Sequence, residues 1–187
     1  GVWLLFISSE LYGANIMRIL YGVQGTGQGH ISRARAMAKA FENLPVEITW
    51  LFSGRDKNQF YDMEPFGDCR YYRGLSFSSG GGKVSYLDTA RQLNIPYLLM
   101  EALSIDVASY DLVITDFEPV SAWAARLSKV KSIGIGHQYA FGQDVPTIGD
   151  TSLTRFIMKN FAPVDFGIGL HWHPYSNTIL PPILDLP

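Results

Sequence analysis

Apolar and polar positions follow two rhythms along this chain, and the rhythms take turns. Arg18-Ile19-Leu20-Tyr21 is a largely apolar run closed by glycines, the mark of a buried strand. Beyond it Ile31, Ala34, Met37 or Ala38, and Phe41 recur on one helical face, with Arg33, Arg35, Lys39 and Glu42 on the other and Pro45 after the end. Residues 46–52 read as a second strand closed by Ser53-Gly54-Arg55, and 70–75 as a third. The glycine-rich stretch 78–83 reads as a flexible loop. Residues 86–107 read as mostly helical, with Pro96 kinking or splitting the helix. A short buried strand, 112–115, ends at Asp116, and 120–129 is amphipathic with Trp123 and Leu127 at i, i+4 spacing. Residues 132–135 form a further strand delivering Gly136-His137-Gln138. Residues 152–160 read as helix and 166–170 as a strand running into His171-Trp172-His173.

Strands alternating with helices predict an α/β fold, a Rossmann-like parallel sheet with helices on both faces. Ligands of such sheets bind outside the carboxyl ends of the strands. His30, Asp116, His137 and His171 all fall just past the C-terminal ends of the expected strands.

The turn Gly25-Thr26-Gly27-Gln28-Gly29-His30 joins the first strand to the first helix. Its glycines let backbone approach a ligand and adopt positive φ, and the helix N-terminus offers free N–H groups. Histidine is the side chain suited to moving a proton near neutral pH. The spacing departs from the dinucleotide fingerprint Gly-x-Gly-x-x-Gly. His30 after Gly29 also excludes a P-loop, which needs Lys-Ser/Thr there. A plain turn with a helix-capping histidine is the alternative.

Asp116, in Thr115-Asp116-Phe117-Glu118-Pro119, is either a helix N-cap or a carboxylate that orients a histidine and stabilises its protonated form. A partner in His30 across the same sheet edge favours the second. His137-Gln138 follows a Gly-x-Gly turn, Gly134-Ile135-Gly136, and either hydrogen-bonds substrate or is satisfied by the fold. His171-x-His173 on a strand would point to opposite faces, and no cysteine or carboxylate cluster completes a metal site.

Composition narrows the picture. The 187 residues, 47% hydrophobic, suffice for one domain with a real core. A net charge of −2 argues against nucleic-acid binding. A lone cysteine, Cys69, excludes an internal disulfide and fits a reducing cytosol. The apolar residues 1–7 are too few to span a bilayer and have no basic region before them. Met17 reads as the natural start, with 1–16 an upstream extension, and 181–187 as the start of a linker. Phe156-Ile157-Met158 and Phe161, beside Arg155 and Lys159, have the makings of an interfacial patch but read as the core of an ordinary amphipathic helix.

Residues 17–36, MRILYGVQGTGQGHISRARA, resemble the start of a GT-B glycosyltransferase, as do 111–125, DLVITDFEPVSAWAA, and 132–138, SIGIGHQ. The resemblance is to family 28-like proteins related to the bacterial lipid II-forming N-acetylglucosaminyltransferase, in a bacterial and archaeal branch. It implies that 17–180 is the N-terminal, acceptor-holding domain of an inverting hexosyltransferase. His30 would be the general base and Asp116 its carboxylate partner. Gly25, Thr26, Gly27, Gln28, Gly29, His137 and Gln138 would bind substrate. His137-Gln138 aligns with a His-Glu-Gln-Asn acceptor motif but lacks its Glu.

The implied donor is a nucleotide-diphosphate sugar, UDP-linked, and the acceptor a hydroxyl on a glycan or lipid-linked glycan, with no cofactor, metal or nucleic acid. The donor would bind a C-terminal domain absent from this chain, leaving the chain inactive by itself. The implied location is the cytoplasm, with peripheral contact to the cytoplasmic membrane face. Asp116→Asn is expected to damage turnover and spare the fold. A sugar-nucleotide 2-epimerase of the same architecture, or a ligand-binding domain without chemistry, are the alternatives.

Overall fold

The computed structural model describes residues 16–75, 79–80, 83–84, 94–140, 156, 159–173 and 176–184. Nine strands occur among them: β1 (Met17–Gln24), β2 (Val46–Ser53), β3 (Arg70–Tyr71), β4 (Ser79–Gly80), β5 (Lys83–Val84), β6 (Leu112–Asp116), β7 (Ser132–Gly136), β8 (Phe166–Leu170) and β9 (Ile179–Leu180). Helices among the described residues are α1 (Gln28–Phe41), α2 (Ile95–Ser104) and α3 (Pro119–Ser128), and residues 156 and 159–161 are helical as well. Seven strands form one sheet in the order β3-β2-β1-β6-β7-β8-β9, and every neighbouring pair is parallel. The Rossmann-like expectation holds.

Successive side chains of a strand face opposite sides, and here both sides are buried. Ile19, Tyr21 and Val23 of β1 join Trp50 and Phe52 of β2 and Ile31 and Ala34 of α1 in one core. Leu20, Leu51 and Val113 point the other way, into a core closed by α2 and α3. The first core is aromatic: Tyr21 packs on Trp50 with centroids 4.6 Å apart, and Phe66 sits 5.0 Å from Trp50 and 4.9 Å from Phe52. Each such ring contributes roughly 1.5–3 kcal/mol by burial. The second core uses small residues. Val120, Ala122, Ala124 and Ala125 of α3 are buried, and Gly22 of β1 lets that helix come close. A Cβ on Gly22 would lie 2.0 Å from Ser121 Oγ.

Several elements differ from their sequence reading. The third strand shrinks from 70–75 to Arg70–Tyr71. Pro96 stands in the first turn of α2, where its missing N–H costs nothing, behind the N-cap Asn94. Residues 86–93 of that expected helix lie outside the described residues, as do 78, 81 and 82 of the glycine-rich loop; β4 and β5 pair antiparallel at that loop. On α3, Trp123 packs on the core while Leu127 is exposed, so the i, i+4 pair is not the buried stripe.

Gly134 and Gly136 are not a turn; they belong to β7 and pair with Gly167 and Gly169 of β8. The reason is room. A Cβ on Gly134 would come 2.3 Å from Tyr139 Cζ, so these glycines let the 3-10 turn His137–Ala140 fold back over the sheet. Tyr139 then donates from its hydroxyl to Ala162 O at 3.1 Å.

Phe161 is a core residue, stacked on Phe117 at 4.9 Å, but Phe156 is 66% exposed, which corrects its reading as core. Residues 155, 157 and 158 lie outside the described residues. The strand β8 ends at Leu170, so the opposite-faces argument does not apply to 171–173: they bend, and His171 Nδ1 accepts the His173 N–H at 3.0 Å. No helix among the described residues is long and apolar enough to cross a membrane.

Candidate functional site

The chain leaves β1 through α1 toward β2 on one side, and leaves β6 through α3 toward β7 on the other. Between β1 and β6 the strand order reverses. Diverging connections there open the crevice in which doubly wound sheets bind ligands. His30 reaches it from α1 and Asp116 from the end of β6.

The glycine turn is built on β2. Gly25 N–H donates to Ser53 O at 2.7 Å, and a Cβ on Gly25 would sit 2.5 Å from Phe60 Cζ, so only glycine lies flat there. Gly27 is extended (φ −127°) and starts α1 with no side-chain cap; Gly29 faces open space. None of the three glycines has positive φ, which corrects the expectation of left-handed corners. Their use is space over the first turn of α1. Thr26 is exposed and accepts Gln24 Nε2 at 3.2 Å, and Gln28 is exposed at the helix start.

His30 Nδ1 meets Asp116 Oδ1 at 2.7 Å, with the carboxylate wholly buried and the imidazole 11% exposed. A carboxylate only accepts, so Nδ1 carries the proton and Nε2 keeps its lone pair; the tautomer follows from this bond. Arg33, one turn on from His30, grips the same carboxylate through Nε to Oδ2 at 2.6 Å and Nη2 to Oδ1 at 2.8 Å. Burial alone would raise the Asp116 pKa. The charge that His30 carries when protonated and its hydrogen bond, with those of Arg33, outweigh it and hold the carboxyl below its usual value. The Tyr21 hydroxyl, fully buried beneath and without a hydrogen-bond partner among the described residues, is raised by burial and then by the Asp116 charge.

The capping alternative for Asp116 is settled by its neighbour. Glu118 caps α3, accepting Val120 N–H at 2.8 Å and Ser121 N–H at 2.6 Å, and it reaches across β1 at Gly22 to accept Ser53 Oγ–H at 2.5 Å. Burial pushes the Glu118 carboxyl upward against the hydrogen bonds from Ser121, Ser53 and Val120. Phe117 between the two acids takes the left-handed conformation, φ 54°. For a residue with a bulky side chain that costs on the order of 1–3 kcal/mol, met here by its packing against Phe161 and Tyr139. The sharp corner sends Asp116 to α1 and Glu118 to α3.

Gln138 is drawn into the crevice, its Nε2 3.5 Å from His30 Nε2 and its buried Oε1 without a partner among the described residues. That distance is at the outer limit of a hydrogen bond. His137 stands at the exposed rim. Packing at its flank, then the positive charges of protonated His30 and of Arg33, lower its pKa below the usual imidazole value. His171 directly follows β8, which lies two strands away from β6 in the sheet.

Sequence reading missed Arg33, which it left on the solvent face of α1, and missed Glu118. The available signal was spacing: Arg33 is three residues from His30, so both share one face of the helix.

A family model described as glycosyl transferase family 1 matches residues 17–163. The chain belongs to glycosyl transferase family 1. Among solved structures, MurG from Acinetobacter baumannii is similar at 15% identity and a TM-score of 0.42, over 75% of this chain. This family 1 chain spans 39% of the length of that MurG chain. No curated protein matches it.

Proposed function

We propose that this chain is the acceptor-binding part of an inverting glycosyltransferase in which His30 is the general base. The observation that carries the reading is the orientation of His30: Nδ1 is committed to buried Asp116, so Nε2 is the lone pair left for the crevice at the strand-order reversal.

A sugar hydroxyl is a weak nucleophile until a positioned base takes its proton. The acceptor oxygen would replace Gln138 beside His30 Nε2 and attack the anomeric carbon of the donor from the face opposite its nucleotide diphosphate. As the new C–O bond forms, the bond to the diphosphate oxygen breaks and takes its electron pair with it. The hydroxyl proton moves to His30 Nε2, and Asp116 stabilises the resulting imidazolium. The freed Gln138 amide offers a donor and an unsatisfied acceptor to the acceptor sugar. Open space above Gly29 leaves room for the second substrate. We take the donor to be a UDP-sugar held largely by a further domain, and the acceptor to be a glycan or lipid-linked glycan.

His30→Ala in the whole protein tests the base. Transfer should fall by about 10²–10⁴-fold with the unfolding midpoint retained. Near wild-type transfer would overturn the assignment. Interconversion of the UDP-sugar with no acceptor present would mark an epimerase instead.

A further inference from the structure

A second recess opens on the same sheet edge, where β2 and β3 end. It is a cavity of about 490 Å³ walled by Arg55, Lys57 and Arg73, with Tyr71, Tyr72 and one acidic residue, Asp56. Its floor is built from backbone. Gly54 N–H donates to Arg73 O at 2.9 Å and Tyr72 N–H to Phe52 O at 2.9 Å, which locks the two strand ends together. Gly54 has φ +94°, a conformation that favours glycine, and a Cβ there would press on the Gln24 amide at 2.9 Å. From α2, the nearly buried Glu101 accepts the N–H groups of Arg73 at 2.7 Å and Gly74 at 2.8 Å. Its carboxylate thus holds the loop backbone and makes no ion pair with the Arg73 side chain.

The three cations are positioned by groups that do not neutralise them. The Arg55 guanidinium lies 5.1 Å over the Phe60 ring and donates to Gln59 O at 3.2 Å and to Gly25 O. The Lys57 ammonium lies 5.1 Å over the Tyr71 ring, and the Arg73 guanidinium 5.3 Å over the Tyr97 ring. None of the three forms an ion pair among the described residues. Three positive charges against one carboxylate, in a concave site with a fixed floor, form a receptor for an anion. The Arg73 fork suits two oxygens of one group, and the Lys57 ammonium adds a point charge.

Arg55 ties the recess to the crevice, because the carbonyl it binds belongs to Gly25, in the turn that leads into His30. We propose that the cavity is the subsite for an anionic group, phosphate or carboxylate, carried by the acceptor whose hydroxyl His30 deprotonates. This rests on the acceptor-side reading given under Proposed function. Lys57 and Arg73 ligate the anion, and Arg55 holds the wall against the glycine turn.

Calorimetric titration of the chain with pyrophosphate, with glucuronate and with uncharged glucose tests the subsite. At least one anion should bind and glucose should not. Binding of pyrophosphate alone identifies a phosphate on the acceptor, and binding of glucuronate alone a carboxylate. Lys57→Gln combined with Arg73→Gln should weaken the anion about tenfold or more, with the unfolding midpoint unchanged. The proposal is overturned if neither anion binds, or if the double variant binds as the wild type does. Binding is read without turnover, so a failed titration leaves the His30 test standing. Anion binding together with full activity of His30→Ala instead overturns the assignment to a transferase acceptor.

Discussion

Two cationic regions share one edge of the sheet and are built in opposite ways. In the crevice beside β1 and β6, Arg33 is bound through two nitrogens to a buried carboxylate that also holds His30. Around the recess past β2 and β3, the side chains of Arg55, Lys57 and Arg73 meet aromatic rings and carbonyls and form no ion pair among the described residues. The first arrangement satisfies its charges internally, so the fold depends on it and a histidine is held in one orientation. The second leaves charge over for something outside the chain, and the fold has little stake in it.

The largest test of that contrast is Asp116→Asn. It leaves Arg33 and His30 facing an uncharged group in a nearly dry site, and breaking one side of such a pair should cost about 3 kcal/mol in denaturant unfolding at neutral pH. This revises the expectation that the substitution spares the fold: Arg33, unseen in the sequence, makes Asp116 structural as well. The pH dependence has a definite sign. The folded-state pKa of Asp116 lies below its unfolded value of about 3.9, so its contribution is full above that value and is lost as pH falls through the lower one. The stability gap between wild type and Asp116→Asn should therefore close in acid below about pH 4. A gap that persists there would show that the carboxylate charge is not what the site uses.

A smaller effect is expected at Glu118, which serves the crevice by shaping the corner after Asp116. Glu118→Ala removes the α3 cap and the link to Ser53, and should cost about 1–2 kcal/mol. An unchanged unfolding free energy would mean that the corner holds without its cap. The smallest effect belongs to the recess. Lys57→Gln and Arg73→Gln should each change stability by less than about 0.5 kcal/mol, because no buried partner is orphaned. A loss like that at Asp116 would erase the distinction between the two regions.

The sequence reading was strongest where one element decides the outcome. The runs at β1 and β6 were legible because largely apolar stretches bury both faces of a parallel strand. His30 and Asp116 were legible as neighbours because Asp116 ends one such strand and His30 lies in the first turn of the helix that follows another, and parallel strands deliver their C-terminal ends to one edge. Where two elements must meet, the reading lost its grip. Arg33 looked solvent-facing because its partner comes from 83 residues away. The Gly134–Gly136 pattern looked like a turn because the Tyr139 ring that needs the space is invisible without the fold-back. Phe156 was read as core from its helical rhythm, although a rhythm shows which residues share a face and not what that face meets.

The sequence by itself therefore determined the layer architecture, the glycine turn and the pair of residues facing each other at its edge, since hydrophobic period and strand-end position are local properties. The tertiary structure alone decided that Glu118 caps α3 and so releases Asp116, that Arg33 shares the carboxylate, and that three cations line a recess without an ion-pair partner among the described residues. Each depends on distances between groups far apart in the chain, and charges interact through those distances.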